Sequence, residues 1–569
     1  MTEFLLVFAL AIALGWPLGR YLAAVMRGAP MRGDRLFGLI ERPLYALLGV
    51  DPSRGMGWKV YAKAFLLSNL VLGVIVWVVL MTQAWLPLNP NDIPNMRWDL
   101  ALHTMVSFLT NTNQQHYSGQ AQLSYLAHAS AIVGLQVVTP MMGLALVAAT
   151  LRGLFGGREK SAATTDTTTN GNADVGNYWA DVLRPTVRFL LPLCLVWSLA
   201  LTSQGVPATF DGGPVATPID ASAEMPEQKI PLGPVSPMVA VKQLGTNGGG
   251  WYGPNSAVSL ENPTPFSNLL ETLALILIPV SIAFMVGSFT GRRKFTALVF
   301  GTMLTMSLVS AGTAVWSESL SGTSSDIALM EGKEVRFGAA PSALWGALTT
   351  QTSNGSVNAM HDSLAPLTGL VTISNMLVNA IWGGIGCGLQ QFLVYLLLSV
   401  FLAGLMTGRT PELFGRKIEA HEVKLLAALV LLQPLALLAF TAITLAVPSI
   451  TGNSNPGFHG ISQVFYEYVS AFANNGSGFE GLGDATYWWN LSASLMLALG
   501  RYPALIIPLA IAGSLARKRA TPEGPGTLQV ETPTFALTLI AVVVILTLLQ
   551  FMPVLVLGPV ADHLALSAL

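Results

Sequence analysis

Four uncharged stretches rich in asparagine, glycine and hydroxyl side chains interrupt an otherwise apolar chain: Thr110-Asn-Thr-Asn113, Gly245-Thr-Asn-Gly-Gly-Gly250, Thr352-Ser-Asn-Gly-Ser356 and Ala473-Asn-Asn-Gly-Ser-Gly478. Each follows a segment of only a few helical turns and precedes a long apolar run. Residues are 52% hydrophobic and 10% charged, against roughly 25% charged in soluble domains. The apolar runs approach membrane-spanning length. Within a bilayer, irregular backbone persists only where protein buries it or where it lines a water-filled path. The expected fold is therefore a polytopic all-α membrane protein that encloses the four polar stretches among its spans.

Ten spans are expected, at about 3–23, 60–84, 126–151, 187–207, 267–290, 295–318, 370–405, 423–448, 490–516 and 533–558. The first is read as an uncleaved span, since it shows neither a basic start nor a small-residue cleavage site. Of the 29 lysines and arginines, 23 fall on alternate connections, which the positive-inside rule assigns to the cytoplasm. Both termini and all four polar motifs then face outward. After the first span, a unit of span, external re-entrant loop and span occurs four times, followed by a last span. This divides the chain into a first span and connection (1–59), pore repeats at 60–155, 179–291, 292–408 and 423–519, and a last span with an external C-terminus (530–569). Short pore helices are expected near 98–109, 236–244, 341–351 and 461–472. The linker 156–178 reads as a flexible cytoplasmic loop, and 203–236, with six prolines, as an ordered external cap.

A partly dehydrated monovalent cation needs neutral oxygens in place of its water, and a bare ion in a low-dielectric core is very costly. In register, the motifs align Asn111, Thr112 and Asn113 with Thr246, Asn247 and Gly248, with Ser353, Asn354 and Gly355, and with Asn474, Asn475 and Gly476. Glycine lets consecutive carbonyls share a direction because it tolerates positive φ. Asn113 breaks the glycine pattern, but asparagine enters the left-handed region more readily than most residues. The expectation is one potassium filter of approximate four-fold symmetry. Asparagine-rich capping turns are the plainer alternative.

Arg501 lies in the ninth span, in an otherwise uncharged run. Buried arginines are expensive and face a cavity or a partner, and a fixed positive charge beneath a cation filter would oppose straight-through leakage. Pairing with a carboxylate, or snorkelling, is the alternative. Gly383, Gly384, Gly386 and Gly388 weaken the seventh span by about 1 kcal/mol each relative to alanine, predicting a broken helix that serves as gate or tunnel wall. Close helix packing through small residues would also account for them. Glu271 fits a position behind the filter or at the interface. Cys194 and Cys387 read as small buried hydrophobes. The seven histidines show no pairwise metal-ligand spacing. Neither a Walker loop nor an Asp-Lys-Thr-Gly phosphorylation sequence is present, and no cytoplasmic connection could hold a nucleotide domain. Hydrolysis is expected on another chain, with potassium as the only bound ion, no cofactor and no nucleic acid.

The four motifs, together with Asn262-Pro-Thr-Pro-Phe266, resemble those of the A-subunit family (KdpA) of the bacterial Kdp-type potassium-transporting ATPases over essentially the whole length. The one departure is Gln114, where the family pattern has an aromatic residue; Gln115 is retained as a filter neighbour. The resemblance implies the superfamily of K+ transporters, with four fused channel-like repeats. It also implies a P-type ATPase B subunit, a single-span C subunit, a small F subunit and a multi-pass position in the cytoplasmic membrane. Arg501 matches the arginine taken to obstruct the direct exit, so that ions leave sideways toward the ATPase subunit. The alternatives are an ATP-independent channel or symporter gated by a cytoplasmic nucleotide-binding protein, or a transporter of small polar solutes.

Overall fold

The computed structural model describes residues 2–156, 173–220, 222, 225–320, 330–333, 335–522 and 527–567. Most of the linker expected at 156–178 lies outside them. Among the described residues, ten helices are long and apolar enough to cross a membrane: Thr2–Arg27, Trp58–Trp85, Ala127–Phe155, Tyr178–Ser203, Pro265–Thr290, Arg293–Ser319, Cys387–Met406, Ala420–Ala446, Tyr487–Leu515 and Pro533–Leu566. Between them sit four short helices, Trp98–Leu109, Val235–Leu244, Ala339–Gln351 and Gly457–Phe472. All four fall short of the roughly 20 residues a bilayer crossing needs, so each enters and turns back.

Burial separates the spans into two shells. The third, fifth, seventh and ninth, which follow the short helices, are 78%, 83%, 61% and 50% buried over their most apolar windows. The second, fourth, sixth and eighth, which precede them, are only 33%, 28%, 39% and 22% buried. Each repeat thus contributes an outer span, a re-entrant helix and an inner span. The first span lies outside this plan and packs along the fifth. Gly15 and Gly19, spaced four apart, let the two backbones approach: a Cβ at Gly19 would lie 2.4 Å from the Ser281 carbonyl oxygen.

The fourth span starts earlier than its hydropathy suggests, at Tyr178, because the Asn177 side chain caps it by accepting the Ala180 N–H (3.1 Å). The seventh is interrupted. Its first half, Pro366–Val378, ends at Asn379 with φ +46°, and its second half resumes at Cys387. The glycines between follow a path that no helix can take, with φ +60° at Gly383 and +85° at Gly386.

His459 at the start of the fourth re-entrant helix donates to Asp362 (2.7 Å) and to Asp562 at the end of the last helix (2.9 Å). Both ring nitrogens donate to carboxylates only when the imidazole is protonated. The hydrogen bonds to Asp362 and then Asp562 hold its pKa up to about 9, above an ordinary value near 6.5. A raised pKa stabilises the fold fully below the unfolded value, and that contribution is lost as pH rises through the folded one. Replacing His459 with alanine should cost about 1–3 kcal/mol below pH 6.5, seen as a lower thermal midpoint in detergent. The difference from the parent should fade above about pH 9; a pH-independent difference would refute the clamp.

Candidate functional site

The four re-entrant helices end in the same way. The second residue after each helix swings into the left-handed region: Asn111 (φ +59°), Thr246 (+48°), Ser353 (+50°) and Asn474 (+54°). The residue two positions later does so again: Asn113 (+56°), Gly248 (+65°), Gly355 (+87°) and Gly476 (+102°). Non-glycine residues with positive φ are uncommon, so the same alternation at four sites is a designed conformation. Asn113 takes the glycine conformation without glycine, as its side chain permits.

A single helix carbonyl receives each turn. The N–H groups of Thr112, Asn247, Asn354 and Asn475 donate to the carbonyls of Ser107, Lys242, Thr349 and Ser470 at 2.9–3.0 Å. These four acceptors hold the same place, five residues before the turn. Two also use their side chains: Thr349 Oγ1 accepts from the Gly355 N–H and Ser470 Oγ from the Gly476 N–H, both at 3.0 Å. In the first repeat, Ser107 Oγ donates instead to the Gln114 carbonyl (2.9 Å). Reading the four motifs backward by five residues reveals these positions; sequence analysis confined to the motif cores does not.

The loops close on one another. A Cβ at Gly248 would lie 2.0 Å from the Asn354 carbonyl oxygen, one at Gly355 2.0 Å from that of Asn475, and one at Gly476 2.2 Å from that of Thr112. Each glycine therefore leaves room for the next loop's carbonyl, passing from the second loop to the third, fourth and first. The circuit is completed by Asn113 Nδ2, which donates to the Gly248 carbonyl (2.9 Å), and by Asn111 Nδ2, which donates to that of Thr246 (3.0 Å). Asn354 Nδ2 and Asn475 Nδ2 reach back to the carbonyls of Lys242 (3.0 Å) and Thr349 (2.8 Å) on the preceding repeat's helix. Asn247 lies against Asn111, with the two side chains 2.5 Å apart. All twelve motif residues from the sequence reading are thereby brought together. Gln115 joins them through a reciprocal pair, donating to the Gly250 carbonyl (3.0 Å) and accepting its N–H (2.7 Å).

The glycine break lies against this ring. The Gly383 N–H donates to the carbonyl of Gln351, the last residue of the third re-entrant helix (2.7 Å), and the Ile385 N–H donates to Thr246 Oγ1 (3.1 Å). Gly386 approaches the third span so closely that a Cβ would sit 2.1 Å from the Gly143 backbone. Arg501 is 2% exposed and reaches the same spot. Its guanidinium donates to Cys387 Sγ (2.8 Å) and the Thr139 carbonyl (3.3 Å), and among the described residues no carboxylate pairs with it. Cys387, expected to be a passive hydrophobe, is in fact the thiol that receives this cation.

Behind the second loop lies a buried charged network that sequence analysis did not find. Lys242 is fully buried and ion-paired with Glu261, and donates to Asn255 (2.6 Å) and Ser256 (2.8 Å). Glu271, also fully buried, accepts from Gln243 and from Ser256, both at 2.8 Å. Glu271 is therefore behind the ring, not at the interface.

The model of the family described as potassium-transporting ATPase A subunit matches residues 5–564. The chain is similar to the potassium-transporting ATPase potassium-binding subunits of Gloeobacter violaceus (46% identical, 96% of this chain and 95% of that protein) and Pseudomonas putida (43%, 99% and 98%). Among solved structures it is similar in fold to the potassium transporter TrkH from Vibrio parahaemolyticus, with TM-score 0.50, 15% identity and coverage of 78% of this chain and 84% of that one.

Removing one partner of a buried ion pair costs about 3–5 kcal/mol because the other charge is stranded. Lys242→Met should therefore lower the thermal midpoint sharply, and adding Glu261→Gln should restore part of the loss. A double variant no better than the single one would contradict the pairing. From its motifs, its fold and these relatives, the chain belongs to the potassium-transporting ATPase A subunit (KdpA) family.

Proposed function

We propose that this chain is the potassium-binding and translocating subunit of an ATP-driven, high-affinity uptake complex in the bacterial cytoplasmic membrane, with both termini outside. The observation that carries the reading is the closed circuit of four loops with the same alternating backbone. Alternation of positive φ with negative φ turns successive carbonyls toward a common side, making a cradle of partial negative charge. Four re-entrant helices deliver their C-terminal ends to it, and a helix C-terminus carries about half a negative charge. The donors are Asn111, Thr112, Asn113, Thr246, Asn247, Gly248, Ser353, Asn354, Gly355, Asn474, Asn475 and Gly476. Neutral oxygens replace potassium hydration without binding the ion too tightly to release.

Beneath the cradle, Arg501 supplies a fixed positive charge and the break at Gly383–Gly388 supplies a wall poor in side chains. A small, partly open pocket beside the break is lined by Pro279, Ile282, Met303, Trp382, Gly384 and Gly386. The ion is turned sideways here toward a partner subunit. The two relatives are named as potassium-binding subunits of a potassium-transporting ATPase, and this chain carries no nucleotide motif, so hydrolysis belongs to a P-type B subunit. A single-span C subunit and a small F subunit complete the assembly. The chain is itself not catalytic.

Potassium-stimulated ATP hydrolysis by the copurified complex tests this; rubidium uptake that proceeds equally without ATP would favour a channel or symporter instead. Gly248→Asp forces a side chain onto the Asn354 carbonyl and adds strain of about 1–3 kcal/mol. Apparent potassium affinity in the ATPase assay should fall about tenfold or more, since 1.4 kcal/mol is a factor of ten. Unchanged affinity would remove the loop from the filter. Arg501→Ala should raise ATP-independent rubidium leak in proteoliposomes; a tight, coupled variant would deny the arginine its blocking role.

A further inference from the structure

Three residues after the first polar loop, His116 is fully enclosed with two carboxylates from the fourth repeat. Its Nε2 lies 3.3 Å from Glu467 Oε1 on the fourth re-entrant helix, and Asp484, in the loop before the ninth span, completes the group. One ligand atom from each of the three lies within 4.8 Å of the others. The His116 tautomer is fixed by its surroundings. Asn490 Nδ2 donates to Asp99 (2.8 Å), whose carboxylate is held by Arg97 (2.5 and 2.8 Å). The amide oxygen of Asn490 therefore faces His116 Nδ1 (2.7 Å) and accepts its proton. Nε2 is left with a lone pair directed at a carboxylate, unless a second proton or a cation lies between them.

We infer that His116, Glu467 and Asp484 form a binding site for a divalent d10 cation, zinc, that fastens the first repeat to the fourth. Zinc binds histidine nitrogen and carboxylate oxygen at about 2.0–2.2 Å in tetrahedral geometry, which sets neighbouring ligand atoms about 3.3 Å apart. The His116–Glu467 separation has this value and is longer than the roughly 2.7–2.9 Å of a charge-assisted N–H···O bond. Asp484 is half-buried in a loop, and a shift of at most about 1.5 Å brings its carboxylate to the third corner of the tetrahedron. The outer shell is supplied: Asn490 orients the imidazole, and Gln114 Nε2 donates to Glu467 Oε1. Such outer partners fix the ligands of zinc sites. The three ligands come from distant segments, which is why histidine spacing gives no sign of them. The site stands outside the ring to which the sequence reading confines bound ions, and it spans the junction where Gly476 meets Thr112. A cation there locks the point at which the first and fourth loops meet.

The test uses the full-length chain, purified with its copurifying subunits, stripped with a chelator and reloaded with Zn2+ or Co2+ in excess K+. The expected result is one Zn2+ retained per chain and the intense visible absorption of four-coordinate Co2+. Asp484→Asn and Glu467→Gln should each weaken Zn2+ binding at least about tenfold. A parent chain giving only the weak spectrum of six-coordinate Co2+ would overturn the assignment without recourse to any variant. Equal Zn2+ retention by the parent and a monodisperse Asp484→Asn chain would overturn it too, leaving His116 as a protonated partner of the two carboxylates.

Discussion

A carbonyl seated where a side chain would otherwise stand holds the centre of this molecule together. At Gly248, Gly355 and Gly476 a Cβ would lie 2.0–2.2 Å from the next loop's carbonyl oxygen, far inside van der Waals contact, so only a hydrogen fits there. Any larger residue would push the four loops apart, and with them the re-entrant helices whose last turns they extend. The twin positive-φ positions of each loop are strained for most residues, and the strain is held by one repeated hydrogen bond to a carbonyl five residues back. Local conformation and loop-to-loop packing therefore depend on each other. The loops cannot close without the left-handed turns, and the turns have no reason to persist unless the loops close.

The inner spans are shaped by the same centre. Gly500 lets the ninth span touch the end of the fourth re-entrant helix, with a would-be Cβ 1.8 Å from the Phe472 carbonyl oxygen. One residue on, Arg501 is committed to the interior. Its partners, the Cys387 thiol and the Thr139 carbonyl, neutralise none of its charge, so the positive field remains available to act on a cation nearby. The seventh span breaks at the same level, and its backbone is tied to Gln351 and Thr246. Ring, break and arginine are thus joined by hydrogen bonds at one level of the molecule.

Much of this arrangement is legible in the amino-acid order. Absence of charge in four aligned motifs marks the loops, and a glycine cluster marks the break. The re-entrant helix expected at 236–244 is observed at Val235–Leu244, and Asn113 adopts the conformation its side chain allows. What escapes a linear reading is pairing across long separations. Lys242 in an otherwise neutral helix gives no hint that Glu261 neutralises it, and Cys387 gives none that an arginine 114 residues later reaches its sulfur. Glu271 is ambiguous until the fold puts Gln243 and Ser256 against it. The early start of the fourth span is invisible to hydropathy because a polar cap, Asn177, not an apolar residue, sets it.

The central claim is that four neutral loops together replace the hydration shell of one potassium ion. Its most direct measurement is an anomalous-scattering map of the purified protein in thallium or rubidium, heavy monovalent substitutes for potassium. The account predicts a peak enclosed by the carbonyls of Thr112, Asn247, Asn354 and Asn475, abolished by excess potassium. A ring free of any peak, with the ion held elsewhere among the spans, would contradict it.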